Sequence, residues 1–187
     1  MGHVLGETGA VGLKLGAGLG LAVLLAGCVT VIRGDGRVEG SAKRELLQYA
    51  ASHGPVLLEL KGDRPGLPKI TARAAEIASG ALQDMDIDFT GEPASAGLPQ
   101  YRFVLAFNPA AGVREADLCS SGPAWVEKQA EETRLMTAFC DEGELLASSI
   151  ATGPALTGVE DPAAEQLVLA GVSETIRGRA TFGSNKP

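Results

Sequence analysis

The two-residue segment Glu142-Gly143 constrains the fold more than any other feature, because it joins two apolar runs. A two-residue link that contains glycine is typical of a β-hairpin, with glycine supplying the positive φ of the turn. The expected register sets residues of like polarity opposite each other. The predicted pairs are Phe139 with Leu146, Thr137 with Ser148, and Leu135 with Ile150. The chain should therefore contain a pair of antiparallel strands.

Two further segments have the pattern of strands. Apolar side chains alternate through residues 101–107, so this segment is expected to be a central strand buried on at least one face. Residues 56–60 form a second short apolar run after Gly54-Pro55. With the hairpin, these segments predict a sheet.

Helical spacing is found in three other segments. Ser41 can cap a short helix over residues 41–52, and Asp161 followed by Pro162 predicts the start of a closing helix. After Pro68, apolar residues recur at helical spacing from residue 70 to residue 85. The apolar face of the closing helix is formed by Ala164, Leu167, Val168, Gly171, Val172 and Ile176. The order of elements predicts an α+β fold, in which a mostly antiparallel sheet carries two or three helices on one face.

The first part of the chain differs from the rest. Residues 15–24 contain no charged side chain and follow Lys14. Ten apolar residues rise only about 15 Å as a helix, about half of the hydrocarbon core of a bilayer. Such a segment after a positive charge is typical of a secretory signal.

The sequence that follows this apolar segment is Leu25-Ala26-Gly27-Cys28, which resembles the lipobox of bacterial lipoproteins. The resemblance implies cleavage after Gly27, a diacylglycerol on the Cys28 thiol, and a further acyl chain such as palmitate on the new amino terminus. It also implies the outer membrane, facing the periplasm, because Val29 stands where an aspartate would retain the protein at the inner membrane. The alternatives are a buried thiol at Cys28, cleavage by an ordinary signal peptidase, or an uncleaved anchor.

These features predict the organisation of the whole chain. Residues 1–27 are expected to be the signal peptide, 28–40 a flexible tether, 41–177 a single α+β domain and 178–187 a loose tail. The chain has 16 basic and 23 acidic side chains and a net charge of −7, which argues against binding nucleic acid.

The remaining cysteines, Cys119 and Cys140, are expected to form a disulfide in an oxidising compartment. Bridging them closes a loop of about 20 residues. The lost entropy of the unfolded chain should then stabilise the folded state by about 3 kcal/mol. The alternative is a pair of buried free thiols.

No catalytic or metal signature emerges from the other polar residues. Asp84, Asp86, Asp88 and Glu92 lie close together, but Phe89 and Ser95 stand where a calcium-binding EF-hand needs glycine and glutamate. The alternation of these aspartates with apolar residues predicts a strand with one solvated acidic face. His53 is expected to be structural at a helix end, Ser120-Ser121 has no recognisable base, and Trp125 is expected to pack. We therefore expect no cofactor and no metal.

The function expected from the sequence is that of an envelope lipoprotein, held at the membrane by its lipid, whose domain binds or scaffolds another envelope protein. The alternatives are an anchored hydrolase of envelope polymers, which would need a cluster of carboxylates or a Ser-His pair in a cleft, and a small-ligand carrier, which would need an enclosed apolar pocket.

Overall fold

The structure, a computed structural model, describes residues 28–38, 40–62, 67–120, 131–157 and 160–177. None of the helices in these ranges is long and apolar enough to cross a bilayer. The helices are α1 (Ala42–Ala51), α2 (Leu67–Ala81) and α3 (Pro162–Arg177), and a 3₁₀ helix spans Glu115–Cys119. The strands are β1 (Thr30–Arg33), β2 (Val56–Lys61), β3 (Phe89–Thr90), β4 (Tyr101–Phe107), β5 (Glu132–Asp141) and β6 (Glu144–Pro154).

The strands form one mixed sheet in the order β1-β6-β5-β4-β2-β3. Antiparallel pairing joins β1 to β6, β6 to β5 and β5 to β4, whereas β2 is parallel to both β4 and β3. Parallel neighbours need a crossover connection, and α2 provides it between β2 and β3. The predicted fold class, an α+β domain with a mostly antiparallel sheet, is confirmed.

The helices α1, α2 and α3 pack on the same face of the sheet, where the larger hydrophobic core lies. Leu47 of α1, Ala78 of α2 and Val172 of α3 are each 0% exposed in this core. They lie in one cluster with Phe103 and Phe139, whose rings stack with their centroids 5.1 Å apart. The helix faces that the apolar spacing predicts are therefore the faces that are buried.

The opposite face of the sheet, which we call the second face, carries a smaller core. The 3₁₀ helix Glu115–Cys119 lies over β4, β5 and β6 there, with Leu118 in one cluster with Val104 and Met136. Because side chains alternate along a strand, β4 is buried on both faces. The 3₁₀ helix between β4 and β5 thus completes the smaller core on the second face. The small and polar residues around it gave no indication of this burial.

The predicted hairpin register is correct only beside the turn, where Asp141 pairs with Glu144 and Cys140 with Leu145. A β-bulge between Phe139 and Cys140 then shifts the pairing by one residue. The bulge lets Leu145 join the second-face core while Leu146 and Ala147 both join the helix-side core. Beyond it, Phe139 pairs with Ala147, Thr137 with Ser149 and Leu135 with Ala151, so the predicted partners Leu146, Ser148 and Ile150 are wrong.

The conformation of the turn also differs from the prediction. Glu142 has the positive φ, at +49°, and Gly143 does not. The N–H of Glu142 donates to the carbonyl oxygen of Gln100 at 2.9 Å, which fixes this residue against the loop before β4. The left-handed residue of the turn is therefore the one that makes a hydrogen bond outside the hairpin.

The flexible tether predicted over residues 28–40 is wrong in its first part, because Thr30–Arg33 forms the edge strand β1. Val29 and Val31 pack against the helix-side core, and the N–H of Gly34 donates to the carbonyl oxygen of Ser148 at 3.0 Å. The glycines nearby suggested flexibility. The partner strand lies more than a hundred residues further along the chain, so local sequence could not reveal the pairing.

The predicted cap on α1 is also wrong. Ser41 has φ −71° and ψ −27°, and its side chain makes no capping hydrogen bond. A capping serine needs an extended backbone to direct its hydroxyl at the free N–H groups of the first turn. Ser41 instead has helical backbone angles, although its carbonyl oxygen still accepts the first hydrogen bond of the helix, from the N–H of Glu45 at 3.0 Å.

Candidate functional site

The amino-terminal end of the described chain places Cys28 at the surface, directly before β1. Exposure alternates from this point onward: Cys28, Thr30 and Ile32 are exposed, whereas Val29 and Val31 are half-buried. The predicted lipobox residues Leu25, Ala26 and Gly27 lie outside the described residues. Cys28 is thus an exposed free cysteine at the start of the described chain.

Cys119 and Cys140 are joined by a disulfide, with their Cα atoms 5.6 Å apart. Both residues are buried, at 1% and 0% exposure. Cys119 ends the 3₁₀ helix and Cys140 lies on the second face of β5, so the bridge fastens the loop after β4 to the sheet. This is the pair that the sequence analysis identified.

A cluster of three charged side chains lies beside the disulfide. Arg102 on β4 donates from Nη2 to the carbonyl oxygen of Cys119 at 2.9 Å, and its Nε lies 3.3 Å from Glu59 Oε2. The Arg102 side chain is only 15% exposed, so this contact is screened less than a surface ion pair. Lys61 Nζ lies 3.9 Å from the same Glu59 oxygen. Sequence reasoning missed this group, because Glu59 and Arg102 are brought together only by the parallel pairing of β2 with β4.

An aromatic surface, formed by exposed Tyr49 and His53 and by half-buried Tyr101, lies where α1 ends and β4 begins. The ring of Tyr49 lies 4.9 Å from that of His53 and 6.1 Å from that of Tyr101. Tyr49 is 52% exposed, which makes it one of the two exposed large apolar residues in the described chain. Burial and the negative charge of Asp141 raise the pKa of Tyr101. The surface holds both tyrosines of the chain.

His53 occupies the helix end that the sequence predicted for it. Its Nδ1 lies 3.0 Å from the carbonyl oxygen of Tyr49 and 3.1 Å from Ser52 Oγ. Its ring also contacts Tyr49, so the histidine contributes to the aromatic surface as well as to the helix end. Tyr49 and His53 are four residues apart at the end of α1, but Tyr101 joins them only through the fold, because it is far from both along the chain.

The acidic segment after α2 adopts a different structure from the predicted strand. Residues 83–85 form a turn of 3₁₀ helix and Asp86 is left-handed, with φ +53°, so only Phe89–Thr90 is a strand. The burial pattern nevertheless alternates as expected, with the aspartates exposed and their neighbours buried. Asp84 binds the guanidinium groups of Arg44 and Arg177. Although desolvation opposes ionisation, the hydrogen bond and charge of Arg177 lower the pKa of Asp84.

Within the described ranges, no group of His, Cys, Asp or Glu side chains is arranged to hold a metal ion. Ser120 Oγ donates to the carbonyl oxygen of Asp117 at 2.9 Å. Ser121 and Trp125 lie outside the described residues.

An open cleft of about 500 Å³ lies beside the hairpin, between residues 35–37, Ala116 and the start of β6. Arg37 Nη1 and Glu144 Oε1, which line it, are 2.6 Å apart, and both side chains are more than 60% exposed. An ion pair this exposed contributes little to stability. The cleft is open and polar at its rim, unlike the enclosed apolar pocket that a small-ligand carrier would need.

No protein-family model matches this chain, and no curated protein matches it significantly. Among solved structures, the chain is similar to the PelC dodecamer from Paraburkholderia phytofirmans, with 15% identity and a TM-score of 0.39. It is also similar to a leucine-to-methionine variant of that dodecamer, with 14% identity and a TM-score of 0.41. Each match covers 80% of this chain and 99% of the other chain. A likeness at this level says nothing about function.

Proposed function

We propose that this chain is a lipid-anchored protein of the bacterial cell envelope whose domain binds or scaffolds another envelope protein. The observation that carries the proposal is the sequence Leu25-Ala26-Gly27-Cys28 after a short apolar segment. The surface position of Cys28 supports it, because lipid attachment needs an accessible thiol. Two or three acyl chains are enough for stable anchoring. Val29 after the cysteine favours the outer membrane, facing the periplasm.

The Cys119–Cys140 disulfide is a second, independent support for location. Disulfides persist in the periplasm and are rare in the cytosol, where thiol reductants keep cysteines reduced. A chain exported through a lipoprotein signal would form this bridge after export.

The aromatic surface is the place where we expect the partner to bind. Tyrosine is enriched among the residues that dominate protein interfaces, because it offers apolar area together with a hydroxyl. Thr30, two residues after Cys28, lies in the same row of the sheet as Arg134, whereas Tyr101 pairs with Asp141. From Arg134 to Asp141 the strand rises about 24 Å. The aromatic surface is therefore at the end of the sheet away from the anchor, within reach of another envelope protein.

Substitution of the lipobox cysteine tests the anchor. Cys28→Ser should abolish incorporation of labelled fatty acid, because the thioether to the lipid cannot form. It should also leave the uncleaved precursor, because cleavage depends on that thioether. The measurement is metabolic labelling with fractionation of membranes. Processing and release of the variant as efficiently as the original chain would refute the anchor.

Cross-linking tests the partner. A photo-cross-linking amino acid at position 49 in intact cells should give a reproducible adduct with one envelope protein. The same amino acid at position 76, exposed on α2, is the matched control. Affinity purification after reversible cross-linking should lose that protein when Tyr49→Ala is introduced and keep it with Glu76→Ala. Equal adducts at both positions, or no reproducible partner, would contradict binding at the aromatic surface.

A further inference from the structure

The direction in which the Cys28 side chain leaves the domain follows from β1. Burial alternates from Cys28 to Arg33, and Val29 and Val31 pack against the helix-side core. Successive side chains of an extended chain point to opposite faces. Cys28 therefore shares its side of the strand with Thr30 and Ile32.

That side opens onto the second face of the sheet, away from the helices. Ile32 pairs with Ile150, which packs against the second-face core, and directly paired residues share a face. Thr30 pairs with Thr152, and Thr152 in turn pairs with Arg134. The corner of the second face that the described residues leave uncovered, which we call the β1 corner, consists of Thr30, Ile32, Arg134, Ile150 and Thr152. Ile32 is 62% exposed there, more than any other large apolar residue in the described chain.

No flexible linker lies between this corner and Cys28. Val29 packs against Gly153 of β6. A Cβ placed on Gly153 would lie 3.2 Å from a methyl carbon of Val29, so Val29 is in contact with the sheet. Only one residue separates Cys28 from Thr30, a span of at most about 7 Å in extended chain. A lipid on the Cys28 sulfur would hold the β1 corner at the surface into which its acyl chains insert.

On the basis of the lipid anchor proposed above, we propose that the β1 corner lies directly against the lipid bilayer. Ile32 then enters the interfacial region, and Arg134 can extend towards lipid phosphates while its aliphatic part stays apolar. Glu132, which pairs with Pro154 one row further out, offsets the charge of Arg134. The acyl anchor, and not net positive charge, holds the corner there. The aromatic surface, at the opposite end and on the helix side of the sheet, consequently faces away from the membrane.

Spin labelling of the full-length, acylated protein tests the orientation. A nitroxide is attached to Ile32→Cys, and to Gly143→Cys at the hairpin tip as the matched control. Both sites tolerate the change, because Ile32 is mostly exposed and a Cβ at Gly143 meets nothing within 4 Å. The protein is reconstituted into vesicles of phosphatidylethanolamine and phosphatidylglycerol, and relaxation by oxygen is compared with relaxation by a water-soluble nickel complex.

The expected result is a severalfold higher oxygen-to-nickel ratio at position 32 than at position 143, because apolar oxygen concentrates in the bilayer and the water-soluble nickel complex is excluded from it. Equal ratios in protein that is acylated and floats with the vesicles would overturn the orientation and leave the anchor intact. Spin–spin broadening at position 32 would show that a second copy covers the β1 edge, which also overturns it. A purified chain without acyl groups would refute the proposed function, and the orientation would fall with it.

Discussion

At the scale of single residues, Asp161 shows how one side chain fixes the start of a helix. Its Oδ1 accepts the N–H of Ala163 at 2.9 Å, and its Oδ2 accepts the N–H and the hydroxyl of Thr157, both at 3.0 Å. The backbone hydrogen bonds from Thr157 and Ala163, with that of the Thr157 hydroxyl, lower the pKa of Asp161 below its ordinary 3.8. The carboxylate therefore ionises more readily in the folded chain than in the unfolded chain.

This lowered pKa predicts a pH-dependent contribution to stability. Ionised Asp161 stabilises the folded state above its unfolded pKa, and the contribution is lost as pH falls through the lower folded pKa. Asp161→Asn keeps one acceptor but cannot titrate, so it should be less stable than the original chain near neutral pH. The difference should be smaller at about pH 3 than at about pH 7, because protonation of Asp161 begins to remove the charge that these donors bind. Urea denaturation at the two pH values measures it, and a difference independent of pH would contradict the assignment.

At the scale of elements, α3 is in close contact with the sheet at Gly171. Ser149 Oγ donates to the Gly171 carbonyl oxygen at 2.8 Å, and Thr175 Oγ1 lies 2.9 Å from Ser149 Oγ. A Cβ on Gly171 would be 2.6 Å from Thr137 Oγ1, which is buried and makes no hydrogen bond. Close approach, not backbone conformation, requires glycine here.

Alanine substitutions in two helices separate these effects. Gly171→Ala should destabilise the domain by about 1–3 kcal/mol, because the methyl group overpacks the contact with Thr137. Gly80→Ala in α2 should stabilise it by about 0.5 kcal/mol through helix propensity, since its Cβ would lie 3.7 Å from Leu169. Thr137→Ala should recover part of the loss in the Gly171→Ala background. Thermal denaturation measures all of them, and stabilisation by Gly171→Ala would contradict the close contact.

The disulfide is the covalent link between two elements, the 3₁₀ helix and β5. Joint replacement Cys119→Ser/Cys140→Ser should cost about 2–4 kcal/mol, because the unfolded chain regains the freedom of the closed loop. Reductant should lower the melting temperature of the original chain by several degrees and leave the variant unchanged. Thiol titration of the denatured, unreduced domain from Val29 onward should find no free cysteine. Two titratable thiols in periplasmic protein would refute the bridge.

At the scale of the whole molecule, the domain begins earlier than its composition suggests. A chain that starts at Ser41 loses β1 and the apolar contacts of Val29 and Val31, and it exposes the edge of β6. We expect it to be less stable than a chain starting at Val29 by about 2 kcal/mol or more. The matched control is Ile32→Ser in the longer chain, which keeps the strand pairing. Equal melting temperatures of the two lengths would mean that residues 29–40 behave as a tether after all.

The sequence by itself determined the helices and strands that can be recognised from neighbouring residues alone. Helical spacing located α2 and α3, alternation located β4, and the pair Glu142-Gly143 located the hairpin. Each of these patterns lies within a short continuous segment of the chain. Cys119 and Cys140 could be paired from the sequence because Cys28 is the one other cysteine and was expected to carry lipid, and because the expected export implied an oxidising compartment.

The tertiary structure decided whatever depends on residues far apart in the chain. β1 is paired with β6, the bulge in β5–β6 places residues in the cores on both faces of the sheet, and left-handed Glu142 donates its N–H to Gln100. Arg102 reaches Glu59, and Tyr49 reaches Tyr101, only once the sheet and α1 are assembled. A single sequence carries periodicity along the chain but not the pairing across it, so the edge strand and the aromatic surface emerge only from the fold.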